Sequence, residues 1–189
     1  MESVSNPYVS PGDYLAAERE ADTKHEYFDG SVVAMAGASI PHNRLAANLI
    51  ASLVVQLRGS KCEAFPSDLR VRVGDRFFYP DVSVICGEIA YDNEKQDVVT
   101  NPTVIIEVLS DSTMAYDRGP KFLSYQQIPT LQDYLLVHQD QPLIEHYRRS
   151  PPSSWLYTKL TGLVAEVELQ AIRTTLPLKE LYPEDLATA

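Results

Sequence analysis

The sequence predicts an α+β (mixed α/β) fold in which two or three helices flank a central curved mixed sheet. Three observations support this prediction: a long amphipathic segment follows an early hairpin, short apolar runs come next in close succession, and helical spacing returns before further strands. The chain has 189 residues and is 44% hydrophobic. It can therefore bury a sizeable core, and we interpret residues 1–189 as a single domain.

The chain begins with a predicted helix and a predicted hairpin. Ser10 precedes a proline in "SPGDYLAAEREA", which is typical of a helix start. In "KHEYFDGSVVAMAG" the DG dipeptide favours a two-residue type I′ turn, which pairs Glu26 with Val33. Strand alternation then places Glu26 on the same face as Phe28 and Met35. This face is apolar, so we expect the carboxylate of Glu26 to have a specific role there.

A long helix and a series of strands follow. The helix is predicted in "SIPHNRLAANLIASLVVQLRG" with Ser39 as its N-cap. Its core stripe consists of leucines at helical spacing: Leu45, Leu49, Leu53 and Leu57. The strand candidates are "KCEAFP", "LRVRV", "FFYPDVSVIC" and "TVIIEVLS". Helical spacing returns in "YDRGPKFLSYQQI", where Pro120 is expected in the first turn, and "DYLLVHQ", "LIEHYRR" and a tail of short strands complete the fold.

The charge limits the kinds of partner. A net charge of −10 weighs against a protein that coats nucleic acid by charge alone. It leaves room for an enzyme that cuts phosphodiesters, because a divalent metal on carboxylates brings its own positive charge. The concentrated basic residues are Arg58, Lys61, Arg70, Arg72 and Arg76.

Cellular location is predicted from the cysteines and from hydropathy. Cys62 and Cys86 have no CxxC spacing and no histidine at metal spacing, so we predict reduced, packed thiols rather than a disulfide or a zinc site. The N-terminus has no signal-peptide pattern, and no run of about 18 apolar residues occurs. We therefore expect a cytoplasmic protein without membrane insertion.

Two acids stand in apolar strand candidates. Asp81 begins the strand in "YPDVSVIC", and Glu107 falls late in "NPTVIIEVLS". If these strands are neighbours, both carboxylates approach one sheet edge, where hard oxygen ligands suit Mg²⁺. The alternative is structural: Asp81 caps a turn, and Glu107 pairs with an arginine such as Arg70 or Arg72.

The order of the segments resembles a known family. The quoted hairpin, "PHNRLAANLIASL", "YPDVSVIC", "IIEVLSDSTMAYDRGPKFLSYQQI" and "DYLLV" follow one another over most of residues 13–137. This layout resembles the PD-(D/E)XK nuclease superfamily, and within it the Uma-two family of bacterial proteins regarded as endonucleases. The resemblance implies a restriction-endonuclease-like core with metal-dependent phosphodiesterase chemistry.

The resemblance also implies roles for particular residues. Asp81 and Glu107 would be metal ligands, and Glu26 would lie near the metal as a third acid. The sequence departs from the pattern at Leu109, where a lysine is expected two residues after the acid. Lys121 on the following helix resembles the migrated lysine of this branch, and its ammonium would hold the attacking water.

Two further side chains are auxiliary candidates. Tyr125 lies four residues after Lys121 and so shares its helix face. His42 lies in the first turn of the long helix, where it could touch a phosphate or polarise a water.

These observations lead to three functional hypotheses. The leading one is an endonuclease that hydrolyses DNA with Mg²⁺ or Mn²⁺ as cofactor, and a homodimer would suit the cutting of both strands. The second is a DNA-binding or protein-interaction module that keeps the nuclease fold without cleavage. The third is a hydrolase of small phosphoesters.

Overall fold

The structure is a computed structural model that describes residues 8–150 and 152–183. The helices are α1 (Pro11–Glu20), α2 (Ile40–Gln56), α3 (Met114–Tyr116), α4 (Phe122–Tyr125) and α5 (Leu178–Leu181). The strands are β1 (His25–Phe28), β2 (Ser31–Ala34), β3 (Cys62–Pro66), β4 (Arg70–Val73), β5 (Arg76–Phe78), β6 (Val82–Cys86), β7 (Val98–Val99), β8 (Val104–Leu109), β9 (Asp133–His138), β10 (Leu143–Ser150), β11 (Ser154–Thr161), β12 (Glu166–Leu169) and β13 (Thr174–Pro177). The predicted α+β fold class is confirmed.

The strands divide between two large sheets and one hairpin. The central sheet has the order β11-β10-β9-β8-β6-β3 and is mixed, because β8 and β9 run parallel while its other neighbours are antiparallel. A second sheet has the order β2-β1-β5-β4-β7, and β12 pairs with β13. The sequence predicted one sheet; "FFYPDVSVIC" is in fact shared between β5 in the second sheet and β6 in the central one.

Helix α2 packs on one face of the central sheet. Its side-chain cap is as predicted, because the Ser39 hydroxyl accepts from the His42 backbone amide at 3.2 Å. The leucine stripe is buried: Leu45, Leu49, Leu53 and Leu57. Each buried leucine contributes about 2 kcal/mol by removal from water. The stripe holds α2 in place and so fixes His42 at the edge of the sheet.

Side chains alternate between the two faces of the sheet along β8, and this alternation decides which face Glu107 occupies. Val104, Ile106 and Val108 belong to the core beneath α2. Ile105 and Leu109 belong to a second core on the other face. Glu107 lies between them in the strand and therefore faces away from α2.

The β1–β2 hairpin has the predicted register, with Glu26 opposite Val33. The character of its faces differs from the prediction. Val33 is 58% exposed, whereas Tyr27 on the opposite face is fully buried. Tyr27 anchors β1 to the aromatic core of the second sheet, whereas Glu26 shares the other face with Phe28, which packs against the core that contains Ile105 and Leu109.

The segment that carries Lys121 begins earlier than predicted. α3 leads into a π-helical turn at Asp117–Lys121 and then into α4, so Pro120 lies inside the helical stretch rather than in its first turn. A π turn is a wide turn often found at functional sites. Asp117 and Lys121 at its two ends are both buried.

The cysteine prediction was wrong. Cys62 and Cys86 are joined by a disulfide between β3 and β6. Antiparallel pairing makes them direct partners in the ladder, with Cα atoms 4.0 Å apart, and this proximity cannot be read from two isolated cysteines. The two cysteines therefore give no support to the predicted cytoplasmic location. Within residues 8–150 and 152–183, no helix is both long and apolar enough to cross a membrane.

Candidate active site

A buried lysine lies among three carboxylates. The ammonium of Lys121 is 2.8 Å from Glu107 Oε1, 3.0 Å from Glu26 Oε1 and 3.6 Å from Asp117 Oδ1. The hairpin supplies Glu26, the central sheet supplies Glu107, and the π turn supplies Asp117 and Lys121. The structure thus brings together three elements that are far apart in the sequence.

Glu107 is held from two sides. Besides Lys121, the hydroxyl of Tyr125 donates to Glu107 Oε1 at 3.0 Å. Burial raises the pKa of Glu107 well above its ordinary value; Lys121 opposes the rise, and the other acids add to it. The pKa of Lys121 also lies well above its ordinary value, because the surrounding acids outweigh the opposing effect of burial. The neighbouring acids therefore favour the charged form of Lys121, while burial favours the protonated form of Glu107.

Asp81 lies beside Glu107, directly before the start of β6. Val82 pairs with Ile106, so the next residues outward, Asp81 and Glu107, are adjacent across the two strands. Asp81 Oδ2 accepts from the Val108 amide at 2.7 Å and lies 3.2 Å from His42 Nε2. Among the described residues Glu107 forms its ion pair with Lys121 and not with an arginine.

His42 contacts the acid rather than open solvent. Burial alone would lower the pKa of His42, but the hydrogen bond to Asp81 outweighs it and the pKa is raised. Its other ring nitrogen, Nδ1, is buried without a hydrogen-bond partner among the described residues. The sequence hypothesis placed His42 at a phosphate or a water; the structure places it against Asp81 at the margin of the acid cluster.

Glu26 is tied to the chain just before Asp81. Its Oε1 accepts from the backbone amide of Tyr79 at 3.3 Å, and Tyr79 is followed by Pro80 and Asp81. The hydroxyl of Tyr79 donates to Glu18 on α1 at 3.0 Å. These contacts position the hairpin acid against the start of β6.

Sequence reasoning missed Asp117. This side chain is 3% exposed, and burial is the main reason that its pKa is raised. It precedes Lys121 by one helical turn, and an acid followed at i+4 by a lysine is a pattern that pairs the two side chains on a helix. This i+4 spacing is the feature of the sequence that could have identified Asp117.

The chemistry of the donors fits a divalent cation. Three carboxylates, those of Glu26, Glu107 and Asp117, surround the ammonium, and Asp81 adds a fourth beside Glu107, so negative charge is in excess when the acids are ionised. Carboxylate oxygens are the ligands that Mg²⁺ and Mn²⁺ prefer. Within residues 8–150 and 152–183 no three acid, histidine or cysteine side chains are already arranged around one point, and Lys121 lies between Glu26 and Glu107.

The basic residues singled out in the sequence are mostly neutralised. Three arginines of the second sheet make ion pairs with aspartates: Arg70 with Asp97, Arg72 with Asp92 and Arg76 with Asp29. These three residues therefore do not form a free cationic surface beside the acids.

Comparison with known proteins gives a consistent picture. Residues 11–178 match the model of the family Uma2, described as "Putative restriction endonuclease". Two relatives are uncharacterized proteins of Synechocystis sp. (strain ATCC 27184 / PCC 6803 / Kazusa). One, sll1609, is 39% identical over 92% of this chain and 99% of its own length; the other, slr1290, is 41% identical over 95% and 94%.

A solved structure shares the fold. It is described as a putative nuclease belonging to DUF820 from Anabaena variabilis ATCC 29413, and it superposes with a TM-score of 0.76 at 18% identity. The match covers 92% of this chain and 97% of the other. At this identity the likeness concerns the fold alone.

Proposed function

The chain belongs to the Uma2 family, and from this premise we propose that it is a divalent-metal-dependent endonuclease that hydrolyses phosphodiester bonds of DNA. The observation that carries the proposal is the position of Lys121, whose ammonium is within 3.0 Å of both Glu26 and Glu107. A buried lysine among acids, next to a surplus of carboxylate, supplies both kinds of group that phosphodiester hydrolysis requires.

In this proposal Glu26, Asp81 and Glu107 would hold Mg²⁺ or Mn²⁺. The bound ion would offset charge on the scissile phosphate and lower the pKa of a water molecule. Lys121, kept charged by the neighbouring acids, donates hydrogen bonds to the attacking water and to the phosphate oxygens as negative charge grows on them.

Other side chains hold these groups in position. Tyr125 fixes one oxygen of Glu107, which leaves the other oxygen for a ligand. His42 and the Val108 amide do the same for Asp81, because both contact Oδ2. Asp117 lies beside the lysine and favours its charged form. Such outer contacts orient ligands and tune their affinity.

Cleavage of supercoiled plasmid and of linear duplex DNA tests the proposal. The parent protein should cut with Mg²⁺ or Mn²⁺ and not with EDTA. Lys121→Met should lower the rate by about 100-fold or more, since it removes a charge that acts on the transition state. Lys179→Met changes an exposed lysine of α5 and serves as the control. A parent that binds DNA but never cuts it would favour a binding module instead, and an unchanged rate for Lys121→Met would remove the proposed role of the lysine.

The ion-paired arginines favour one second candidate, a hydrolase of small phosphoesters. A long polyanion needs accessible cations, whereas Arg70, Arg72 and Arg76 already have aspartate partners. The two functions separate in one assay with bis(p-nitrophenyl) phosphate and DNA in competition. Turnover of the small ester that DNA does not inhibit would favour the second candidate.

A further inference from the structure

We infer that the sheet face bearing Glu107 continues across β10 and β11 into a surface that binds unpaired nucleotides next to the bond to be cut. This flanking-strand surface consists of Arg118, Tyr147, Trp155, Tyr157 and Lys159. The inference rests on the proposed function, because it names the state of the nucleic acid that the same site accepts.

Strand register connects the acid to this surface. Glu107 pairs with Leu136, Leu136 with Glu145, and Glu145 with Lys159, so the four side chains form one row on one face of the sheet. Neighbouring strands are about 4.8 Å apart, which places β11 roughly 14 Å from β8. Glu107, Leu136 and Glu145 are buried and Lys159 is exposed, so a strand cut at the acids would reach β11 by passing over the segment that carries Arg118.

Aromatic rings form the middle of the surface. The ring centroid of Phe122 on α4 lies 4.5 Å from that of Tyr147 and 5.3 Å from that of Trp155. The centroid of Tyr147 lies 5.1 Å from that of Tyr157. Tyr157, at the outer end of this group, is 49% exposed. Successive bases stack on such rings regardless of sequence, because every base has a π-face.

The Trp155 ring is held in place by a neighbouring arginine on the same face of the sheet. The guanidinium of Arg149 lies over Trp155, 4.6 Å from the ring centroid. That guanidinium is fixed by three backbone carbonyls, those of Gln126, Ile128 and Leu131. A platform of this kind costs little ordering on binding, which suits a stacking surface.

An oriented cation lies between the rings and the acids. Arg118 precedes Lys121 by three residues, and its Nε and Nη2 donate to Glu145, with His138 Nε2 at 3.2 Å from Nη2. Glu145 and His138 are 6% and 7% exposed, whereas the Arg118 side chain is 34% exposed. Its Nη1 makes no hydrogen bond to residues 8–150 or 152–183. Two buried groups thus aim a guanidinium at solvent, where it can bind a phosphate.

The arrangement favours unpaired nucleotides over an intact duplex. Duplex DNA hides the faces of its bases, so an exposed ring on a sheet has nothing to stack upon. The surface also has few cations, Arg118 and Lys159, and Arg118 is already balanced by Glu145. Stacking, rather than charge, must supply most of the affinity.

Intrinsic fluorescence tests the inference directly, because Trp155 is the single tryptophan of the chain. The parent protein in EDTA is titrated with an oligothymidylate of about 12 nucleotides, within the site sizes of single-strand binders. We expect saturable quenching. Tyr157→Ser and Arg118→Ala should each weaken binding by about tenfold, and Arg118→Ala should also lower the salt slope by about one.

Matched controls lie elsewhere on the same chain. Leu156→Ser alters the opposite face of β11, where Leu156 is 57% exposed, and Arg58→Ala removes an exposed arginine after α2. Both should bind as the parent does. Absence of quenching, or equal affinity for the Tyr157 variant and its Leu156 control, overturns the inference. So does light scattering that shows a dimer which Tyr157→Ser dissociates, since β11 would then pair with a second copy.

The outcome is separable from that of the proposed function. Metal-dependent cleavage of DNA without quenching of Trp155 would keep the nuclease and remove the flanking-strand surface. Quenching that depends on Tyr157 and Arg118, in a protein that cuts nothing with Mg²⁺ or Mn²⁺, would keep the surface and remove the nuclease.

Discussion

The ammonium of Lys121 lies 2.8 Å from Glu107 Oε1, and both side chains are at most 6% exposed. Removing one partner of a buried pair typically costs about 3–5 kcal/mol, because the other charge is left without compensation. Here the acids outnumber the lysine, so the loss of an acid and the loss of the lysine should have different consequences. Loss of the acid Glu26 is the case considered first.

Glu26→Gln should leave the metal-free protein as stable as the parent, within about 0.5 kcal/mol. The amide oxygen can still accept from the Tyr79 amide and from Lys121, while one of several mutually repelling charges disappears. The stabilisation by millimolar Mn²⁺ should shrink, by about 1.4 kcal/mol for a tenfold weaker affinity. Thermal melts of both proteins with and without Mn²⁺ measure this. A destabilised variant with a full Mn²⁺ response would make Glu26 a structural residue.

Tyr125→Phe should weaken metal binding by about 10-fold or more, because Glu107 loses the hydroxyl that orients it. The variant should also lose about 1–3 kcal/mol of stability, since a buried acceptor loses a donor. Isothermal titration with Mn²⁺ and urea unfolding measure the two effects. Tyr14→Phe is the control, because Tyr14 donates at 2.6 Å to the His25 carbonyl, outside the acid cluster. Equal Mn²⁺ affinity in both variants would contradict the orienting role.

The protein should lose stability in acid because Asp97 becomes protonated there. The hydrogen bond from Arg19, with Asn93 and Arg70 adding to it, lowers the pKa of Asp97 to about 2 despite partial burial. The folded pKa lies below the unfolded one, so the stabilisation is complete above about pH 4 and is lost as the pH falls towards 2. Allowing for solvent screening, its size is about 1–2 kcal/mol.

Urea unfolding at several pH values measures this contribution. Asp97→Asn should be less stable than the parent at pH 7, and the difference should close as the pH approaches 2. Asp22→Asn changes an exposed acid of the same chain and should follow the parent throughout. A constant difference between parent and Asp97→Asn at all pH values would show that the ion pairs do not respond to protonation.

Reduction of the Cys62–Cys86 disulfide should lower stability by about 2–4 kcal/mol, because the link closes a loop of 24 residues in the unfolded chain. For a protein of this size, that corresponds to a fall in Tm of roughly 5–10 °C. Calorimetry with and without dithiothreitol measures the change. Thiol titration of protein purified without reductant should find no reactive thiol, and two reactive thiols there would mean that the cysteines are free.

Local features were predictable from the sequence because their causes are local. The Ser39 cap, the leucine stripe of α2 and the register of the β1–β2 hairpin depend on residues within a few positions of one another. Intrinsic capping, periodicity and turn chemistry act at that range. The order of such segments also sufficed to identify the family.

Contacts between distant segments could only come from the tertiary structure. The pairing of β3 with β6 creates the disulfide, and the pairing of β6 with β8 brings Asp81 beside Glu107. The position of Lys121 between Glu26 and Glu107 depends on the docking of three separate elements and on a π turn around a proline. No short-range pattern encodes these distances, because they follow from how the apolar faces of the sheets and helices pack together. The sequence by itself determined which acidic and basic side chains the chain offers, and the packing decided which of them meet.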